Sequence, residues 1–330
     1  MSIKKKVILD VDTGSDDAIA IMAALLSPDL EVVGICTVSG NKGLEFTTEN
    51  TLRVIDLVGA TVPVYKGAVA PLAARLFPGR RGFMVAQKSA EVDGKKVDYH
   101  PPVLDCLPPS HSKAQDKRAA IWLIETLMAS DGDITLIPVG PLTNIALALM
   151  IEPAIAVKIK EIVLMGGAWE ITNTTSAAEF NIWEDPEAAQ IVLNCGCKIT
   201  MVPLDATHTA VTTAKQNDAI RALGTPVAQA VATLTDQRIL AYNLMQPLDE
   251  PDVSPNHDAL AVLAVIDPTV LQNVKLSRVD VDISGGFADG MTIVDHRTFN
   301  DRPKNVYFAY SADAAKFNRM LYDILSLAKA

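Results

Sequence analysis

Lys6-Val7-Ile8-Leu9-Asp10-Val11-Asp12-Thr13-Gly14-Ser15-Asp16-Asp17-Ala18-Ile19-Ala20-Ile21-Met22 begins with a short apolar run and ends in a helical one, with a turn crowded by carboxylates between them. Residues 6–9 read as a strand and residues 17–26 as a helix. The same unit recurs along the chain. Apolar, β-branched runs at 30–38, 134–138, 161–165 and 198–202 alternate with stretches of helical period at 47–57, 117–128, 142–150 and 186–193. Strand and helix in repeated alternation predict an α/β fold, Rossmann-like, with a mostly parallel (mixed) central sheet flanked by helices. Ligands of such sheets sit beyond the carboxyl ends of the strands, so the residues just after each strand carry the functional question.

Residues 68–115 break the rhythm with Pro-Gly, Pro101-Pro102 and Pro108-Pro109, and read as a long lid-like surface excursion. From 211 to 241 the pattern is helical without strands between. A turn-rich piece at 246–256 and a helix at 258–266 follow, and the last sixty residues return to strand-like runs before a helix near 314–327. There is no internal repeat, low-complexity tract or evident linker, so residues 1–330 are expected to form one domain.

Composition excludes several classes. Lys plus Arg number 29 against 39 Asp plus Glu, a formal charge of −10, and past Lys4-Lys5-Lys6 no basic run follows; a nucleic-acid groove is not expected. No apolar run approaches the roughly 18 to 20 residues a membrane-spanning helix needs. The three lysines do not begin a signal peptide, because the apolar stretch after them stops at Asp10; a cytoplasmic protein is expected. Cys36, Cys106, Cys195 and Cys197 are few, and Cys195-Gly196-Cys197 lacks the further ligands a zinc site requires.

The turn after the first strand holds Asp10, Asp12, Asp16 and Asp17 within eight residues. Helix capping accounts for one or two of them, and the rest call for a cation. All the candidate ligand atoms are oxygens, which favours Ca²⁺ or Mg²⁺ over zinc. A phosphatase of the haloacid-dehalogenase type would also open with Asp-x-Asp, but its later acidic pair is missing from Met165-Gly166-Gly167-Ala168-Trp169.

Five ordered motifs point elsewhere. The segment from Leu9 to Ala18, Thr37-Val38-Ser39-Gly40-Asn41, Leu136-Ile137-Pro138-Val139-Gly140-Pro141-Leu142-Thr143-Asn144, the run Ala178-Glu179-Phe180-Asn181-Ile182-Trp183-Glu184-Asp185-Pro186 with Asn173 before it, and Asn256-His257-Asp258-Ala259 together resemble the nucleoside hydrolase family, the inosine-uridine-preferring nucleoside N-ribohydrolases. The resemblance implies the nucleoside hydrolase fold and a Ca²⁺ held by Asp12, Asp17, the Val139 carbonyl and Asp258. It implies ribose hydroxyls bound by Asp16, Asn41, Asn173, Glu179 and Asn181, with Asp10 supporting the ligands from behind. Amides and carboxylates suit a vicinal diol, and oxygen donors suit Ca²⁺.

The reaction so implied is hydrolysis of the N-glycosidic bond of a ribonucleoside by direct attack of a metal-activated water, with Asp12 as general base. His257, at a helix start, is the candidate to assist the departing base. The inosine-uridine-preferring branch usually has a His-Gly motif after its third strand, yet residues 67–99 contain no histidine. Phe77, Phe83, Tyr99, His100 and Tyr242 are the aromatic and histidine candidates for covering the base. Two alternatives stay open: ribosyl transfer to a second base on the same scaffold, and a ribonucleoside-binding module without turnover, against which the intact Asp12 argues. A homo-oligomer, dimer or tetramer, is expected.

Overall fold

In a computed structural model, which describes residues 3–77, 79–80, 89–92, 94–299 and 301–329, the opening unit is strand β1 (Lys5–Val11) followed by helix α1 (Ser15–Leu26). Side chains of a strand alternate between faces. Val7, Leu9 and Val11 accordingly enter one core and Ile8 the other, so β1 is buried on both sides. Helix α1 is apolar nearly all round and has no solvent face over Ala18–Ala24. Burying each of its larger side chains contributes roughly 1.5–3 kcal/mol.

The chain continues through β2 (Leu30–Thr37), α2 (Leu44–Val58) and β3 (Val64–Lys66), then the hairpin β4 (Ser89–Val92) and β5 (Lys95–Asp98). There follow α3 (Ala119–Ala129), β6 (Ile134–Pro138), α4 (Thr143–Ile151), β7 (Ile159–Met165), α5 (Phe180–Glu184), α6 (Pro186–Leu193), β8 (Ile199–Val202) and α7 (Leu204–Thr207). The carboxyl-terminal part adds β9 (Val211–Thr213), α8 (Ala214–Arg221), α9 (Pro226–Met245), β10 (Val253–Pro255), α10 (His257–Ile266), β11 (Leu271–Val281), β12 (Thr292–Asp295), β13 (Val306–Ala312) and α11 (Ala314–Leu325).

Nine strands form one sheet in the order β12-β11-β13-β8-β7-β6-β1-β2-β3. Every pairing from β13 to β3 is parallel, whereas β11 pairs antiparallel with both β13 and β12, so the sheet is mixed as expected. The chain steps from β1 outward to β2 and β3, then crosses back to lay β6 on the other flank of β1. Strand order reverses there, which opens a crevice beyond the carboxyl ends of β1 and β6.

One expectation needs correction. Residues 211–241 are not uninterrupted helix: Val211-Thr212-Thr213 is a strand paired antiparallel with Val253-Ser254-Pro255, inside the piece read as turns. Three β-branched residues are too few to display a period, and the pairing partner lies forty residues away. A left-handed Gly224 and Pro226 then separate α8 from α9. The excursion also contains structure of its own. The β4–β5 hairpin is tied to the body by Lys42 Nζ on Asp98 Oδ2 at 3.1 Å, and Arg80 clamps the segment before it to Asp289 (Nε to Oδ2, 2.7 Å) and to Glu187. Among the described residues no helix is long and apolar enough to cross a membrane.

Candidate active site

The crevice predicted by strand order is a cleft open to solvent on one side. Asp16 at the start of α1, Asn41 after β2, Val139 after β6, Asn173, Glu179 and Asn181 around the start of α5, and His257 and Asp258 at the start of α10 all line it. Strand ends and helix starts converge here because a parallel sheet turns every crossover at the same edge. Asp10, Asp12 and Asp17 do not line the cleft. They lie behind it, and two of them are bonded to a residue that does: Asp12 Oδ2 accepts the Asn41 backbone N–H at 2.6 Å, and Asp17 Oδ2 accepts Asn41 Nδ2 at 3.3 Å.

Asp17 shapes the turn as well as carrying charge. Its carboxylate accepts the backbone N–H groups of Asp12 (3.1 Å) and Gly14 (2.9 Å), which stitches the end of β1 to the first turn of α1. Asp12 is wedged between two glycines: a Cβ on Gly40 would fall 2.1 Å from Oδ2, and one on Gly140 2.8 Å from Oδ1. Oδ1 of Asp12 is buried and accepts no hydrogen bond. A buried acceptor of this kind costs free energy unless a ligand satisfies it.

Charge is partitioned among these carboxylates. Burial raises the Asp12 carboxyl well above its usual range, and the charge of Asp17 adds to it. Asp17 is pushed up to about 7 by burial and then by Asp16. Asp258 is raised well up by burial and by Asp16, Asp17 and Asp12 in turn. Asp16 alone is lowered: burial pushes it up, but the guanidinium of Arg238 outweighs this. Carboxylate oxygens of Asp16, Asp17 and Asp258 approach within 4.8 Å of one another, close enough to share one ion. Oxygen-only donors, excess negative charge and the orphaned Asp12 Oδ1 together fit a hard divalent cation.

The residues expected to meet a sugar are held by short local bonds. Glu179 caps α5, accepting the N–H groups of Asn181 and Ile182 as well as that of Gly167 at 2.9 Å, and burial pushes it up to about 7. Asn173 Oδ1 accepts the Phe180 N–H at 3.0 Å. Asn181 Nδ2 donates to the Val139 carbonyl at 2.7 Å, one lone pair of the oxygen expected to face the metal. Asp10 reaches neither backbone nor another carboxylate; its Oδ1 accepts Asn144 Nδ2 at 2.8 Å, and Asn144 in turn bonds Thr37 and Ala68.

At the other end of the cleft both ring nitrogens of His257 are engaged, Nε2 with the Tyr242 hydroxyl at 2.6 Å and Nδ1 with Thr207 Oγ1 at 2.7 Å. Burial, then Arg238, lowers this imidazole well below its usual range, so it is neutral. Tyr99 packs edge-on against Tyr242 with centroids 5.2 Å apart. His100 brings an imidazole into the cleft from beyond β5, where it accepts the Ser15 N–H at Nδ1 (3.2 Å). Histidine thus reaches the site from the far limb of the excursion instead of the near one. Phe77 is 55% exposed and off the cleft wall, and Phe83 lies outside the described residues.

Arg238 is the most deeply buried of the lining residues that sequence reasoning missed, which also include Lys42, Asp98, Thr174 and Gln246. It is 1% exposed on the inner face of α9. The signal was there: Val227, Val231, Leu234, Arg238 and Tyr242 recur at three- and four-residue steps, which puts a guanidinium on a stripe of buried positions.

Comparison with known proteins agrees with this arrangement. The profile of the family described as inosine-uridine preferring nucleoside hydrolase matches residues 7–319. An inosine-uridine preferring nucleoside hydrolase of Leishmania major is 38% identical over 327 residues, 97% of each chain, and a pyrimidine-specific ribonucleoside hydrolase of Escherichia coli is 36% identical over 316 residues, 95% of each. Among solved structures, a purine-preferring ribonucleoside hydrolase from Gardnerella vaginalis superimposes with a TM-score of 0.84 at 35% identity, covering 98% of this chain and 99% of that one. With matches of this extent over a sheet and cleft of this form, the chain belongs to the inosine-uridine preferring nucleoside hydrolase family, enzymes that hydrolyse the N-glycosidic bond of ribonucleosides.

Proposed function

We propose that the enzyme is a Ca²⁺-dependent ribonucleoside hydrolase in which Asp12 is the general base. The observation that carries this reading is the set Asp12, Asp17 and Asp258, buried carboxylates each raised by burial and by neighbouring acidic charge, beside a fourth, Asp16, already paired with Arg238. Asp12, Asp17, the Val139 carbonyl and Asp258 are therefore the ligands, and Asp16 is left for the sugar. When bound, the cation supplies Lewis acidity that brings the pKa of water toward neutrality.

Asp12 takes the proton of the attacking water at Oδ1, its uncommitted oxygen. Asp16, Asn41, Asn173, Glu179 and Asn181 bind the ribose hydroxyls and fix the anomeric carbon over Asp12. As the bond to the base breaks the ribosyl ring gains positive charge, and the surrounding carboxylates stabilise that charge where it develops. Water attacks opposite the departing base, so no covalent sugar intermediate forms. At the base end the Tyr242 hydroxyl and His257 form a bonded pair that can pass a proton or a hydrogen bond to the leaving group. His100 and Tyr99 close that end from the excursion.

A homo-oligomer belongs to the same proposal. Ile283, Met291 and Ile293 are exposed beside the edge strand β12, the kind of surface a second copy covers. A reducing-sugar assay over inosine, uridine, cytidine, adenosine and a 2′-deoxynucleoside, with and without chelator, tests the function. Sugar release that is abolished by chelator and restored by Ca²⁺ supports it, and release indifferent to chelator overturns the metal assignment.

A further inference from the structure

Arg238 makes contacts that a space-filling residue has no reason to make. Its Nη1 lies 3.1 Å from Asp16 Oδ1 and 3.2 Å from Ser15 Oγ, and its Nη2 donates to the Pro255 carbonyl at 2.9 Å. One planar group therefore bridges the first turn of α1, which carries Asp16, to the last residue of β10, from which the chain enters α10 with His257 and Asp258. The Tyr242 ring, one helical turn further along α9, lies 5.8 Å from the guanidinium carbon. Nε of Arg238 is buried without a hydrogen-bond partner, and the approach to Asp16 Oδ1 is an ion pair outside hydrogen-bonding alignment, so this oxygen still accepts no hydrogen bond. With Oδ1 buried between the guanidinium and His100 Nδ1, 3.6 Å away, the Asp16 carboxylate is held in one orientation at the cleft wall, where a sugar hydroxyl can donate to it.

We propose that Arg238 is a positioning residue for ribose recognition: by bridging Asp16, Ser15 and the Pro255 carbonyl it fixes the Asp16 side chain at the cleft wall as an acceptor for sugar hydroxyls, and keeps it out of the coordination sphere of the cation. The inference deepens the hydrolase reading and rests on it. Without the guanidinium the Asp16 side chain loses its tether, and it either rotates away from the sugar or turns toward Asp17, Asp258 and the cation. Either change removes an acceptor from the sugar end and leaves the base end in place. A lysine supplies the charge at a single point but cannot span Asp16, Ser15 and Pro255 together, so it restores only part of the effect.

The test compares the parent with Arg238→Met and Arg238→Lys in steady-state kinetics on uridine and inosine and on their 2′-deoxy counterparts, with Ca²⁺ titrated calorimetrically into each metal-free protein. Arg238→Met is expected to lower kcat/KM on the ribonucleosides about a hundredfold and the ratio of ribo- to deoxynucleoside at least tenfold. Arg238→Lys should recover part of both. The Met variant should bind Ca²⁺ no more weakly than the parent, since Asp16 is then released toward the ion. Equal losses on ribo- and deoxynucleosides, no recovery with lysine, or a tenfold weaker Ca²⁺ affinity would each overturn the proposal. If Arg238→Met does not fold, the lysine variant decides by the same ribo-to-deoxy ratio. A parent that releases no sugar overturns the hydrolase reading instead; D-ribose titrated into parent and Met variant then still tests Arg238, with weaker binding expected in the variant and unchanged binding counting against it.

Discussion

Replacing Asp12 by Asn should separate catalysis from stability, with opposite signs. The amide is isosteric. Its oxygen can keep the bond from the Asn41 N–H, which leaves the NH₂ at the place of Oδ1 with the Asp17 carboxylate as a neighbouring acceptor. The variant loses the base that takes the water's proton, a contribution of about 10²–10⁴ in rate, and it also weakens a metal ligand, so kcat should fall by at least about a thousandfold. The metal-free fold should respond the other way. Burial and the charge of Asp17 make an ionised Asp12 unfavourable, as its raised pKa shows. A carboxyl raised on folding destabilises the native state once the pH exceeds its unfolded value near 3.9, so a neutral amide relieves the folded state at pH 7 and changes little at pH 3.

Relief of about 1–3 kcal/mol, the scale of an unsatisfied buried group, is reasonable. An unfolding entropy of roughly 2.1 cal/mol/K per residue gives about 0.7 kcal/mol/K for a chain of 330 residues, and hence a rise in Tm of about 1.5–4 °C in chelator. Calorimetry in chelator and steady-state kinetics in Ca²⁺ measure the two effects. A variant with kcat within tenfold of the parent, or one whose metal-free Tm falls, would refute both the role of Asp12 and the charge argument behind it.

For the parent, Ca²⁺ at a hundred times its Kd should stabilise by about 2.7 kcal/mol, an upward Tm shift of roughly 4 °C that chelator reverses; an unchanged melting curve together with no metal in elemental analysis counts against the site. His257→Ala and Tyr242→Phe should each slow inosine far more than an activated nitrophenyl riboside, whose leaving group needs no proton, and equal slowing of both substrates would mean that the pair only supports the fold. Incubation with a second free base should leave sugar release unchanged, whereas a new nucleoside in the products would reveal ribosyl transfer. Cys195 should be the first thiol alkylated: the Cys197 thiol bonded to it holds it at about 7, against a burial that pushes Cys36 and Cys106 up. Its alkylation rate should rise through pH 7 and level off above, with activity retained because it precedes β8, on the sheet edge opposite the cleft; peptide mapping that finds Cys106 modified first would contradict this.

Local pattern was enough to settle the alternation of strands and helices, because burial on both faces of a parallel sheet leaves uninterrupted apolar runs, and helix periodicity lies between them. It was also enough for the acidic turn after β1 and the motif after β6, where consecutive residues carry the chemistry and need no distant partner to be noticed. It failed at β3, β9 and β10, each three residues long, whose existence depends on strands that pair with them from elsewhere.

What the sequence by itself determined is the inventory: an α/β chain, a concentration of oxygen donors behind one strand, and an ordered set of motifs that belongs to nucleoside hydrolases. What only the tertiary structure decided is how those carboxylates divide their work. Asp16 and Asp17 are neighbours in the chain and alike in chemistry, yet Arg238, over two hundred positions later, pairs with one, while burial and the charge of Asp16 press on the other. His100 reaches the cleft from the far limb of the excursion because that limb and α1 meet only in three dimensions. Coulomb energy and desolvation depend on distance through space and on what excludes water, and neither can be read from separation along the chain.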